Sequence, residues 1–393
     1  AGDVFCPSDV SNNTDCKFIF FTTAETTNDA IWFADCSDAS CSTRDALTSI
    51  VADMNDDVAF AISYMSLWCN ASADCQVLFH NAVNGDLVLR DCSNSSCSTA
   101  NATTIIDADV GANVAAVQSV SVPNAIDCSP GATDCKIVYA DSSQNEVNFV
   151  DCSAAGCTSS VITKIDDTAG GIMTHDVSLY CVSATDCKGT FVGDTTAGSE
   201  DVYMFDCDDA ACTAGSAVEL SDPPFMSVID CVGGTSDCKL AYYDIFVSTT
   251  DVPVRFADCT NAKCLPDWTD AADPWTGQTA VETASITYDS TNSDLYASVI
   301  MDTSDQAYFK STDATTISWG TQNSYAFTDG TLNQISAPEK GAGTDQLGVV
   351  LNQGSNFEFA VLPENLWLLL LLTPMLPTLR RWGEKKRKTI RYL

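Results

Sequence analysis

Twenty cysteines are the most chemically versatile residues of this 393-residue chain, and their spacing is regular. Five pairs leave four residues between partners: Cys36/Cys41, Cys92/Cys97, Cys152/Cys157, Cys207/Cys212 and Cys259/Cys264. Asp35, Asp91, Asp151, Asp206 and Asp258 precede them. Five looser pairs alternate with these: Cys6/Cys16, Cys69/Cys75, Cys128/Cys135, Cys181/Cys187 and Cys231/Cys238. The second cysteine of each follows Asp15, Asp74, Asp134, Asp186 or Asp237, and four of them precede Lys17, Lys136, Lys188 or Lys239. An even set, used without remainder at turn-length spacing, predicts ten local disulfides and an oxidising compartment outside the cytosol. The rival chemistry is zinc held by two dithiols per repeat. Zinc ligands usually come as Cys-x2-Cys, and export disfavours free thiolates.

The other reactive residues are sparse or unpatterned. Asp15 beside Asp35, and the equivalent aspartates of later repeats, could together hold calcium, the hard cation such carboxylates suit. No EF-hand ligand run exists, and an Asp beside a turn commonly bonds backbone amides, so the turn role is preferred. Residues 1–361 hold three arginines, Arg44, Arg90 and Arg255, and the chain two histidines, His80 and His175, without a Ser or Asp partner at diagnostic spacing. No catalytic, cofactor-binding or metal-binding residue is assigned. Carboxylates are plentiful, which leaves two-acid hydrolysis as the alternative. Asn12, Asn70, Asn94 and Asn101 open Asn-x-Ser/Thr triplets and are candidate glycosylation sites.

Fifty-three acidic against 18 basic side chains give a net charge of −35, which excludes phosphate-backbone binding and with it nucleic acid as a partner. A hydrophobic content of 45% supplies a core, so the acidity belongs to the surface of a folded protein.

Successive tight pairs begin 56, 60, 55 and 52 residues apart, the signature of a repeat architecture. Within one period, short bursts of Val, Ile, Phe, Tyr and Thr are separated by Asp, Asn, Ser, Thr and Gly. In the third repeat these are 114–122, 136–140, 146–150 and 159–163. That pattern predicts four strands per period and no helix outside the C-terminal tail. A four-stranded antiparallel sheet repeated at this spacing is the blade of a β-propeller. The pattern continues beyond the cysteines at 284–320 and 334–361. The expected fold is therefore an all-β, seven-bladed propeller over 1–361, with blades at 1–50, 51–108, 109–167, 168–220, 221–283, 284–330 and 331–361. Its hairpin turns are stapled by disulfides.

Residues Ser311-Thr-Asp-Ala-Thr-Thr-Ile-Ser-Trp319, at the turn between third and fourth strands, resemble the Asp-box of sialidase-type propellers. Thr315 stands in place of the Gly, and one extra residue precedes Trp319. The resemblance implies a blade architecture. It also implies a substrate carboxylate bound by three arginines near blade starts, yet none of Arg44, Arg90 and Arg255 starts a blade.

In such a meander the loose and tight pairs occupy turns at the same end, so the predicted disulfides line one face. Arg44 and Arg90 belong on or near that face. The opposite face carries loops that differ between blades, where recognition of cationic or glycan partners would reside. The seventh blade lacks a fourth strand after 356–361, and the resulting open edge invites strand addition from another copy.

The tail at 362–393 is a different polymer. Seven basic and two acidic residues give it +5, against −40 for 1–361 with 11 and 51. The order of Leu362-Pro-Glu-Asn365, an apolar run at 366–379 and a basic cluster resembles LPXTG and PEP-CTERM surface-sorting signals. Attachment to a membrane or cell envelope by a short helical segment is the expectation, with burial of that segment in an assembly as its alternative. Together these features predict a non-enzymatic extracellular cell-surface protein, structural or adhesive and able to form homo-oligomeric filaments or layers. The alternative is a glycan-binding or glycan-hydrolysing propeller.

Overall fold

The structure is a computed structural model. It describes residues 2–5, 16–22, 30–36, 44–51, 65–71, 73–81, 85–108, 110, 125–128, 134–141, 143–144, 146–167, 175–196, 199–213, 217–221, 226–231, 238–243, 254–259, 268–271, 281–289, 294–301, 306–313, 319–326, 332–335, 339–340, 346–353 and 356–363.

The described residues form antiparallel four-stranded sheets that follow one another along the chain. The first contains β1 (Gly2–Phe5), β2 (Lys17–Thr22), β3 (Ala30–Cys36) and β4 (Arg44–Val51). The second contains β5 (Met65–Ala71), β6 (Asp74–Asn81), β7 (Asp86–Cys92) and β8 (Ala100–Asp107). The third contains β9 (Ile126–Asp127), β10 (Lys136–Asp141), β11 (Glu146–Cys152) and β12 (Ser160–Asp167). The fourth contains β13 (His175–Ser183), β14 (Asp186–Thr196), β15 (Ser199–Cys207) and β16 (Val218–Ser221). The fifth contains β17 (Met226–Cys231), β18 (Cys238–Tyr243), β19 (Val254–Cys259) and β20 (Trp268–Ala271). The sixth contains β21 (Val281–Asp289), β22 (Asp294–Met301), β23 (Gln306–Asp313) and β24 (Trp319–Ala326). In each of these six, strands pair in chain order as a meander.

The last sheet departs from the meander. It contains β25 (Leu332–Ile335), β26 (Glu339–Lys340), β27 (Gln346–Gln353) and β28 (Asn356–Pro363). β27 is central, with β25 and β26 at successive positions along it and β28 pairing along its length. Among the described residues, β28 pairs with β27 alone. The tail at 364–393, expected to be helical, lies outside the described residues.

First strands of neighbouring sheets pack in succession, β1 on β5, β5 on β9, β9 on β13, β13 on β17, β17 on β21 and β21 on β25, and β1 also packs on β27. The core lies between sheets. Phe5 meets Trp68 with ring centroids 5.9 Å apart, and Phe149 meets Phe205 edge-on at 6.5 Å. Sheets covered on both faces need unbroken apolar strands. β10 is accordingly buried at all six positions, whereas the outer strand β8 alternates between half-buried and exposed until it nears its end.

The first strand of the third sheet is placed differently from the expectation. Residues 111–124 lie outside the described set, and Ile126–Asp127 does the pairing, with Asp127 opposite Lys136. The Cys128–Cys135 bridge pulls together the residues flanking that hairpin and so selects this register.

Candidate functional site

The cysteines mark one end of the first five sheets. Disulfides join Cys69–Cys75, Cys92–Cys97, Cys128–Cys135, Cys152–Cys157, Cys181–Cys187, Cys207–Cys212 and Cys231–Cys238. Cys16 and Cys36 are also disulfide-bonded. Cys6, Cys41 and Cys264 lie outside the described residues. No described cysteine is free, and so many cystines are compatible with an extracellular location. In the tight turns Cys97, Cys157 and Cys212 hold φ of 50°, 53° and 54°, which costs an L residue about 1–2 kcal/mol. Their amides donate to the carbonyls of Asn94, Ala154 and Asp209 at 3.0, 2.9 and 3.0 Å, closing the turn that brings the sulfurs together.

Several of the aspartates beside these cysteines meet a cation that the protein supplies. Lys17 lies opposite Asp35 in the strand register, as Lys136 does Asp151, Lys188 Asp206 and Lys239 Asp258. The Lys17 ammonium bonds Asp35. Lys136 Nζ bonds Asp151 and, at 2.6 Å, Asp134. Lys188 Nζ lies 2.6 Å from Asp206 and 3.7 Å from Asp186. In the second sheet Gln76 takes the lysine's place and donates to Asp91 at 2.8 Å. At Asp35, Asp134, Asp151, Asp186 and Asp206 the observed partner is thus a lysine, where the sequence suggests calcium or turn amides; Asp15 and Asp237 lie outside the described residues. Turn capping falls to other residues: Asn94 accepts from the Ser98 amide at 3.0 Å, and Asp209 from the Ala211 and Thr213 amides at 3.0 and 3.1 Å. Among the described residues, no group of three His, Cys, Asp or Glu side chains could hold a metal ion.

The first strands carry a second pattern. Asp3 Oδ2 accepts from the Leu67 amide at 2.8 Å, and Ser66 Oγ from Ala125 at 3.2 Å. Asp127 Oδ2 accepts from Cys181 at 2.8 Å, and Ser178 Oγ from Ile229 at 3.3 Å. Each acceptor sits in one sheet and its donor in the next, so buried polar side chains link the sheets in sequence.

The opposite end of the second and third sheets is where a ligand-facing surface would sit. Backbone bonds run from Gly85 to Asn81 at 2.8 Å, from Val110 to Gly85 at 2.6 Å and from Ser143 to Val110 at 3.4 Å. Two hairpins and the connection between the sheets thereby form one platform. His80 is buried there and hydrogen-bonds the Gly85 backbone, and burial pushes its imidazole below the ordinary value. Tyr139, also buried, donates to Asp107, and burial drives its phenol strongly upward. A phenol held protonated in this way is a donor and not a nucleophile. Asp141 Oδ1 accepts from the Ser143 amide and hydroxyl at 2.8 and 2.7 Å, and Glu146 pairs with Lys164 at 3.1 Å. These carboxylates brace the surface. The variable loops 23–29 and 244–253 lie outside the described residues, as do 82–84 and 197–198.

Arg90 donates to the carbonyls of Ile50 and Cys97 at 3.1 and 3.3 Å and is committed to the stapled end. Arg44 lies opposite Cys36, and Arg255 opposite Tyr242 within the fifth sheet. His175 opens β13 opposite Val192. Asn101 is exposed on β8. Asn70 is exposed and donates to Asp74 at 3.3 Å, while half-buried Asn94 donates to Ser98 Oγ at 2.8 Å. Asn12 lies outside the described residues. Of the Asp-box segment, Ser311–Asp313 closes β23 and Trp319 opens β24, with Trp319 opposite Thr312.

Serial four-stranded meanders joined through their first strands define a disulfide-rich protein of the β-propeller class. No protein-family profile matches the chain, and no curated protein matches it. Among solved structures, the Hadza microbial sialidase Hz136 is similar at a TM-score of 0.53 and 9% identity, over 91% of this chain and 74% of that one. The sialidase of Trypanosoma rangeli reaches 0.46 at 10% identity, over 98% of this chain and 57% of that one. The propeller domain of the Trilobed protease from Pyrococcus furiosus reaches 0.48 at 8% identity, over 93% of this chain and 98% of that one. The likeness to Hz136 shows the fold. It also corrects the expectation of a non-enzymatic protein: the architecture is shared with a sialidase, so the scarcity of Arg and His is no ground for excluding an enzyme.

Proposed function

We propose that this chain is a secreted, seven-bladed carbohydrate-active propeller that binds a glycan on the face opposite its disulfides and hydrolyses it. The observation that carries this reading is the shared architecture with a sialidase over 91% of the chain. Two features narrow the substrate. Arg90 is spent on backbone carbonyls, so it is not available to a substrate carboxylate. A net charge of −35 also repels anionic sugars. Neutral glycans therefore fit better than sialic acid, and hydrolysis would rest on a pair of carboxylates, one donating a proton to the leaving oxygen. Acidic residues recur where fourth strands end, at Asp107, Asp166 and Asp167, and at Asp222 just after β16. Asp107 is engaged by Tyr139; substitutions at Asp166, Asp167 and Asp222 test the assignment.

The cysteine-stapled face and the tail fit display at a cell surface, with the tail as the attachment to the envelope. Among the described residues β28 pairs with β27 alone, and its other side suits lateral contact between copies. The decisive experiment incubates the purified chain with a panel of neutral and sialylated oligosaccharides and follows both retention and product release. Turnover of neutral glycans is the expected result. Retention without turnover would make it a lectin, and neither retention nor turnover on any glycan would overturn the reading.

A further inference from the structure

In the second, third and fourth sheets the stapled end is covalently linked in two places out of three. A loose disulfide ties first strand to second, and a tight disulfide closes the turn from third strand to fourth. Between the second and third strands no disulfide is seen among the described residues: the Cys152 amide donates to the Cys135 carbonyl at 3.0 Å, and the lysine and aspartate next to those cysteines meet. Lys136 follows Cys135, Asp151 precedes Cys152, and the two face each other in the register. Lys188 and Asp206 repeat the arrangement between Cys187 and Cys207.

We propose that Lys136 with Asp151, and Lys188 with Asp206, condense into intramolecular amide bonds, completing a covalent ladder across the four strands. Three observations support the chemistry. Both lysine side chains are enclosed, 0% and 2% exposed, with their nitrogens in contact with the carboxylate across the strand. Desolvation raises the nucleophilicity of such an amine, and fixed contact supplies an effective concentration on the order of 10⁵ M or more. Each nitrogen also has a second carboxylate, Asp134 at 2.6 Å and Asp186 at 3.7 Å, placed to relay protons. Those two aspartates are 33% and 37% exposed, which gives departing water a route to solvent.

The step balances without a co-reactant. The ammonium passes one proton by way of Asp134 to the Asp151 carboxylate, and the freed Nζ lone pair attacks Cγ of the acid so formed. The C–N bond forms, the nitrogen sheds its second proton, and the C–O bond breaks with the oxygen leaving as water, protonated through Asp134. One ammonium and one carboxylate become one amide and one water. Asp186 has the same part beside Lys188. Gln76 occupies the equivalent position in the second sheet and lacks the amine, so that sheet serves as an internal comparison.

The test is mass spectrometry of the full secreted chain, fully reduced, alkylated and freed of glycans. The expected result is a mass one water lighter than the sequence for each bond formed. Proteolysis should yield branched peptides joining β10 to β11 and β14 to β15, with none joining β6 to β7. Lys136→Arg and Lys188→Arg keep the charge, and each should restore one water and abolish its own branched peptide. Linear peptides alone at both positions in the wild-type chain would overturn the proposal. Because this measurement is independent of glycan turnover, its failure is separable from that of the proposed activity.

Discussion

Asp127 offers the sharpest test of how the sheets are joined. It is 7% exposed on the short strand β9, and its Oδ2 accepts the Cys181 amide of the next sheet at 2.8 Å. Asp127→Ala leaves that buried N–H without its acceptor, and a hydrogen bond to a charged group is worth about 1.5–3 kcal/mol. Asp127→Asn keeps a carbonyl oxygen in place and should lose less than half of this. The global effect is a fall in melting temperature on the order of 2–4 °C for the Ala variant. The local effect is more telling. Hydrogen exchange at the Cys181 amide should accelerate by roughly ten- to a hundredfold in the Ala variant, at 1.4 kcal/mol per tenfold. Amides within β6 and β7, remote from the deletion, should change little. Equal melting temperatures and equal Cys181 exchange in all three proteins would refute the idea that inner-strand side chains hold neighbouring sheets together.

Two further tests follow from particular side chains. A Cβ at Gly189 would lie 2.2 Å from Cζ of Phe205 and 2.7 Å from the Ser178 carbonyl, so Gly189→Ala must displace a buried ring against backbone. A loss of about 1–3 kcal/mol is expected in urea unfolding, and an unchanged midpoint would contradict the packing described. His80 is held below its ordinary value of 6.5 by burial. Above 6.5 it is neutral in both folded and unfolded chains. As pH falls below that, the unfolded chain binds a proton that the buried imidazole resists, so stability declines until the folded value is reached. The urea midpoint should fall over that window in the wild type and fall less steeply in His80→Leu; parallel slopes would count against burial as the cause.

Much of the architecture was readable from spacing, because the forces that set it act over a few residues. Strand bursts, the Asp-Cys and Asp-Cys-Lys triplets and turn-length cysteine gaps are local features, and a cystine across a tight hairpin needs no distant information. Lys17, Lys136, Lys188 and Lys239 were visible in the same triplets. Their partners were not, because a strand register decides that Lys136 meets Asp151 across 15 residues. Without that register the aspartates read as calcium ligands or turn caps. The pairing of Tyr139 with Asp107 was hidden for a similar reason, since it crosses from one sheet to the next.

The chain's own order of residues determined that it would be a repetitive, acidic, cystine-bearing β protein with one end of its first five repeats clamped. Alternation and cysteine spacing are enforced within a hairpin, whatever lies outside it. The tertiary structure alone decided which carboxylates brace the molecule and which remain for chemistry. Asp3 and Leu67, or Asp127 and Cys181, are brought together only when whole sheets pack face to face. Burial then commits Arg90, Tyr139 and Asp141 to the scaffold, because a polar group removed from water must find its partner inside the protein.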